Sequence, residues 1–201
     1  MTHQVHAFEP PERFVAGTVG EPGDRTFFLQ ARGGGRVVSV ALEKVQVSLL
    51  AEKLEELLSE ANRRFGIDMP ELPAPIGNDN EPLDTPVDEE FRVGTLGLAF
   101  DVDTETVVIE AIEAGEADAE IELGADDDDE DDDDEPPAGE DDDEPDDDLD
   151  RLRVRLTPTA TRAFIDRARR VVAAGRPPCP LCGQPLDAGG HLCPRHNGYH
   201  R

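Results

Sequence analysis

All three cysteines of the chain and two of its five histidines fall within residues 179–196. Cys179-Pro-Leu-Cys182 has the spacing from which a tight turn aims two thiolates at one zinc ion. Gly183 follows, where such a turn needs a residue that tolerates positive φ. Cys193 is the third candidate ligand, reached through a loop containing Pro185, Gly189 and Gly190. The fourth is His191 or His196; His196 stands three residues beyond Cys193, with room for a turn, and spacing alone favours it slightly. Three thiolates and an imidazole close a tetrahedral sphere and leave no position for water or substrate, so the expected role of the zinc is structural. The same residues also fit a redox pair or a reduced turn without metal. Redox Cys-x-x-Cys pairs open a helix after a strand, which Pro-Pro-Cys-Pro does not resemble. Three cysteines cannot all pair as disulfides, so a disulfide framework is not expected.

The charge that surrounds this segment is unevenly placed. The chain of 201 residues carries a net charge of −28, yet residues 126–150 hold nineteen Asp or Glu and no Lys or Arg, while 151–201 hold ten Arg against Asp166 and Asp187. The acidic run 125–149 is expected to be disordered, since its carboxylates repel and it has almost nothing apolar to bury. No stretch approaches eighteen uninterrupted apolar residues and residues 1–14 lack an apolar signal region, which predicts a soluble cytoplasmic protein without a membrane partner.

Regular elements precede the cysteines. Residues 3–12 read as a polar lead in which His3 and His6 are exposed. Residues 14–20, 26–32 and 36–42 read as strands, separated by a turn at 21–24 and the glycines 33–35. Val47, Leu50, Leu54, Leu57, Leu58, Ala61 and Phe65 recur at helical intervals, with Gly66 as the stop. Residues 67–90, rich in proline, form an extended linker.

The second half repeats the first. Phe91-Arg-Val-Gly94-Thr95-Leu-Gly97 matches Phe14-Val-Ala-Gly17-Thr18-Val-Gly20 at an offset of 77, and Thr106-Val-Val-Ile-Glu-Ala matches Thr26-Phe-Phe-Leu-Gln-Ala at an offset of 80. Arg153-Val-Arg-Leu156 and the helix carrying Phe164, Ala168, Val171 and Val172 match residues 39–42 and the first helix at an offset of 114. The predicted fold is therefore α+β: a duplicated β-β-β-α unit with a mainly antiparallel sheet, in units of about 13–66 and 91–175 within a domain 1–175, followed by a metal knuckle at 176–201. The jump in offset places the acidic run at a hairpin, where added length costs little.

Leu152, Val154 and Leu156 alternate with Arg151, Arg153 and Arg155, so the arginines share the face away from the core. Thr157-Pro158 starts the next helix and Gly175 closes it. The arginine row could hold a phosphate-bearing ligand, because the guanidinium fork matches phosphate oxygens; paired with nearby carboxylates, it is only a solvated face. One Tyr, no Trp and a tethered polyanion argue against nucleic acid. The Gly-Thr-x-Gly segments at Gly17 and Gly94 lack the helix that a phosphate-cradling loop feeds, and read instead as close backbone approaches or bulges. Glu43 and Lys44, at a strand-to-helix junction, read as a helix-end feature. No Ser/His/Asp or Cys/His catalytic constellation is legible, so no catalytic residue is assigned and a protein partner is left open.

Several segments carry a family likeness: Phe8-Glu-Pro-Pro-Glu-Arg-Phe-Val-Ala-Gly-Thr18, Arg25-Thr-Phe-Phe-Leu-Gln-Ala31, Val38-Ser-Val-Ala-Leu-Glu-Lys44, Gly175-Arg-Pro-Pro-Cys179-Pro-Leu-Cys-Gly183 and Gly190-His-Leu-Cys-Pro-Arg195 with Asn197-Gly198. They resemble an uncharacterised actinobacterial family, domain-of-unknown-function family three thousand and ninety. The resemblance implies no assigned activity. It does imply His191, in His-x-Cys-Pro-Arg, as the fourth ligand beside Cys179, Cys182 and Cys193, reversing the preference from spacing. The expectation is a zinc-knuckle binding or adaptor protein without catalytic activity; the alternative is an enzyme or sensor for a phosphorylated small molecule.

Overall fold

The computed structural model describes residues 3–21, 23–66, 79–115, 121–123 (backbone only) and 149–175. Within them lie β1 (Val5–Phe8), β2 (Arg13–Val19), β3 (Thr26–Gly33), β4 (Arg36–Leu42), α1 (Lys44–Phe65), β5 (Glu89–Asp101), β6 (Thr106–Glu113), β7 (Ile121–Leu123), β8 (Arg151–Leu156) and α2 (Pro158–Ala173). Residues 67–78, most of the acidic insertion and the whole segment 176–201 lie outside the described residues.

One sheet runs in the order β1-β8-β6-β5-β4-β3-β2, with β7 beside β5. Each half contains three antiparallel strands followed by a helix, β2-β3-β4-α1 and β5-β6-β8-α2, with β7 inserted between β6 and β8 and parallel to β5. The halves meet where β4 pairs in parallel with β5, through Ser39↔Glu89 and Ala41↔Arg92. A parallel neighbour needs a crossover, and α1 supplies it. The mixed α+β class and mainly antiparallel sheet agree with the sequence reading.

Period-two alternation sets the layers. Phe27, Leu29 and Ala31 of β3 join Val38, Val40 and Leu42 of β4, Val107 and Ile109 of β6 and Leu152, Val154 and Leu156 of β8 in one core with both helices. α1 contributes Val47, Leu50, Leu54 and Leu58, one stripe at helical spacing, each worth about 1.5–3 kcal/mol when buried. Phe14 and Phe164 stack at 4.8 Å between centroids, joining α2 to the edge strand β2.

The caps follow the sequence. Gly66 ends α1 in the left-handed region at φ 64, with its N–H donating to Asn62 O at 2.9 Å. The Thr157 hydroxyl accepts from Ala160 N at 3.3 Å, with Pro158 opening α2. The far end of α2 is set by Ala174 rather than Gly175, since Ala174 keeps a right-handed φ of −70 and donates its N–H to Arg170 O at 2.9 Å.

The polar lead needs correction. It contains β1, parallel to β8 with His6↔Leu152 and Phe8↔Val154, and His6 is only 4% exposed. Its side chain faces the core because alternation within β1 puts it beside Phe8. Residues 9–12 connect β1 to β2 at the other end of the strand order. A flat sheet would separate those strands by about 29 Å, more than the roughly 18 Å a chain of that length spans, so the sheet must curl. Accordingly, a Cβ on Gly33 would stand 3.2 Å from the Phe8 ring, and Arg36 Nη2 donates to Ala7 O at 3.3 Å.

The described part of the linker is packed on the body. Leu83 and Val87 lie on the outer face of the first meander against Val15, Phe28 and Ala41. Gln30, buried within β3, holds this strap: its Nε2 donates to Ser39 Oγ and Asp84 O, both at 3.0 Å, and its Oε1 accepts from Asp84 N at 2.7 Å.

Candidate functional site

Cys179, Cys182, His191, Cys193 and His196 lie outside the described residues. Among the described residues no three His, Cys, Asp or Glu side chains gather as metal ligands, and no helix is long and apolar enough to cross a membrane.

The arginines of β8 do share the face opposite the core, and that face is shared with carboxylates from neighbouring segments. Arg153 pairs with Glu110, its cross-strand neighbour on β6. Arg155 donates to Asp101 Oδ2 at 2.6 Å and lies 3.3 Å from Glu9 Oε1. The hydrogen bond from Arg155 holds the Asp101 carboxyl below its ordinary range. Glu43 caps α1: its backbone N–H donates to Gln46 Oε1 at 2.7 Å and its carboxylate accepts from Arg92 Nη1 at 3.0 Å. Gln46 is itself buried and donates to Val93 O and Gly94 O, each at 3.2 Å, pinning the start of α1 to the bulge of β5. Gly17 and Gly94 are close approaches: a Cβ would stand 2.6 Å from the Leu83 side chain at the first and 2.6 Å from Ala114 Cα at the second.

The most connected polar cluster lies at the β2 edge. The Arg13 and Arg167 side chains, 8% and 9% exposed, converge on Asp79. Arg13 donates to Asp79 Oδ2 at 2.7 Å from Nε and to Oδ1 at 2.9 Å from Nη2, a fork-on-carboxylate contact. Arg167 donates to Ala16 O at 2.8 Å, Asp79 O at 2.6 Å, Asp79 Oδ1 at 2.8 Å and Glu81 O at 2.8 Å. Arg32 reaches Asp84 Oδ1 at 3.1 Å. The hydrogen bond from Arg13 holds the Asp79 carboxyl below the ordinary carboxylate range, against the effect of burial. Burial pushes the Arg167 guanidinium down while Asp79 pulls it up. The cluster fastens the strap around an edge strand whose unpaired carbonyls would otherwise stay open. Sequence reasoning missed it, although Arg167 interrupts the apolar stripe of α2 between Phe164 and Val171.

No curated protein and no solved structure matches the chain. The family model described as "Protein of unknown function (DUF3090)" matches residues 6–193. That match takes in the strands of both halves, both helices, the strap and the segment with all three cysteines, and the chain belongs to the DUF3090 family.

Proposed function

We propose that the protein is a cytoplasmic, non-catalytic binding or adaptor protein whose α/β body presents a structural zinc knuckle formed by Cys179, Cys182, His191 and Cys193. The ligand chemistry carries this reading: three thiolates and one imidazole complete a tetrahedral sphere and stabilise a short, glycine- and proline-rich segment that has little core of its own. The rival reading, an enzyme or sensor holding a phosphorylated small molecule on Arg151, Arg153 and Arg155, has to contend with the carboxylates already bound to Arg153 and Arg155. We read the halves as an internal duplication, supported by the matching segments, each at its own constant offset, and by the shared order of three antiparallel strands and a helix, to which the second half adds β7.

The test is metal content by elemental mass spectrometry on untagged protein purified in reductant. The expected result is about one zinc per chain, lost in Cys179→Ser and weakened by His191→Ala but not by His196→Ala. Wild-type protein that takes up no zinc on reconstitution would overturn the reading. Thermal stabilisation by a phosphate metabolite, abolished in Arg153→Ala, would favour the rival.

A further inference from the structure

Residues 176–201 hold three arginines against one acid, Asp187, and three leucines at 181, 186 and 192. A knuckle of that size buries little apolar surface by itself, so its leucines need a neighbouring surface.

The body delivers this segment to one corner. Ala174 O, past the end of α2, accepts from Arg25 Nη1 at 2.8 Å. A Cβ on Gly175 would stand 3.5 Å from Lys44 Nζ, so the chain leaves the body beside the first turn of α1. The outer ridge of α1 begins there with two apolar side chains in the open: Val45 is 66% and Leu49 37% exposed, one turn apart. It continues into an open concavity of about 560 Å³ lined by Glu52, Glu55, Glu56, Ser59, Glu60 and Arg63, where Glu55, Glu56 and Glu60 are already paired with cations of the two helices. Arg25 Nε is buried, and among the described residues nothing accepts from it.

We infer that the solvent-facing ridge of α1 is the docking surface for the chain's own residues 176–201. Val45 and Leu49 cover knuckle leucines. Connectivity selects this occupant, because the segment starts at the apolar end of the ridge. The dozen residues from Val45 to Glu56 span about 17 Å of helix, well within reach of the first ten residues of the segment. The inference rests on the zinc-knuckle reading and adds where the knuckle sits.

Hydrogen exchange by mass spectrometry on the full chain, with zinc and after chelation, tests it when zinc content is measured in the same samples. The expected result is at least about fivefold slower exchange across residues 44–56 in the zinc form. Val45→Glu combined with Leu49→Glu, both at exposed positions, should keep the metal and lose that protection. Bound zinc without zinc-dependent protection of α1 overturns the docking and leaves the knuckle standing. A wild type without zinc overturns both. Light scattering that shows a dimer abolished by the double substitution assigns the ridge to a second copy of the chain instead.

Discussion

Arg167→Met isolates the polar contribution of the β2-edge cluster. Methionine keeps much of the arginine stem, so little cavity opens and the loss is that of the guanidinium. Four hydrogen bonds disappear. Ala16 is fully buried, so its carbonyl on the covered strand edge becomes a buried acceptor without a donor, at about 1–3 kcal/mol. Asp79 keeps Arg13 and is 33% exposed, so its lost ion pair is screened and worth no more than about 1 kcal/mol. The carbonyls of Asp79 and Glu81 lie on the surface strap, where water can replace the donor at about 0.5 kcal/mol each. Releasing a buried cation returns part of its desolvation cost. The net expectation is a loss of about 3 kcal/mol. It would be read from urea denaturation as a lower midpoint at unchanged slope. Arg167→Lys should recover little, because an ammonium cannot reproduce a fork directed at carbonyls from two segments. A loss below about 0.5 kcal/mol in Arg167→Met would refute the view that this side chain fastens the strap.

Two further predictions concern the same region and its counterpart. The folded-state pKa of Asp79 is depressed, so its contribution is complete above the unfolded value of about 3.9 and is lost as pH falls below it; Asp79→Asn should flatten the stability profile below about pH 4, and equal acid slopes in the two proteins would count against the ion pair. Gly94→Ala would push a Cβ into the Ala114 backbone, which is held by its N–H to Arg92 O at 2.8 Å, whereas Gly17→Ala meets a leucine side chain that can rotate. Thermal unfolding should therefore show a loss of about 2–3 kcal/mol for Gly94→Ala and about 1 kcal/mol for Gly17→Ala, and the reverse order would be inconsistent with this packing.

The strands and helices of the two halves were legible because Phe27, Leu29, Val38, Val40, Leu50 and Leu54 follow the periods of their elements, and because Gly66 and Thr157-Pro158 mark ends by local chemistry. β1 was not legible. Its alternation is interrupted by His6 and Ala7, and its strand partner among the described residues lies at Arg151–Leu156, so nothing local announces it. Gln30 and Ser39 are polar yet buried because the strap lies over them, and a proline-rich stretch carries no period that would predict such cover. Arg167 is one of ten arginines in residues 151–201, and only its place in the stripe of Phe164 and Ala168 puts it against the body. Ligand spacing in the cysteine segment was legible, and that segment lies outside the described residues.

The pairing of β1 with β8 separates the order in which the chain is made from the order in which the sheet is filled. Gln4 and Asp150, joined by a hydrogen bond of 2.7 Å, are 146 residues apart. At roughly 5–20 residues per second, the ribosome needs about 7–30 s to supply the second after the first. During that time β2, β3, β4 and α1 have left the exit tunnel and can pair among themselves, while Val5–Phe8 has no strand to join. His6 and Phe8, both destined for the core, wait in solvent or under a chaperone until Arg151–Leu156 is available. The earliest strand in the sequence is thus among the last to be placed.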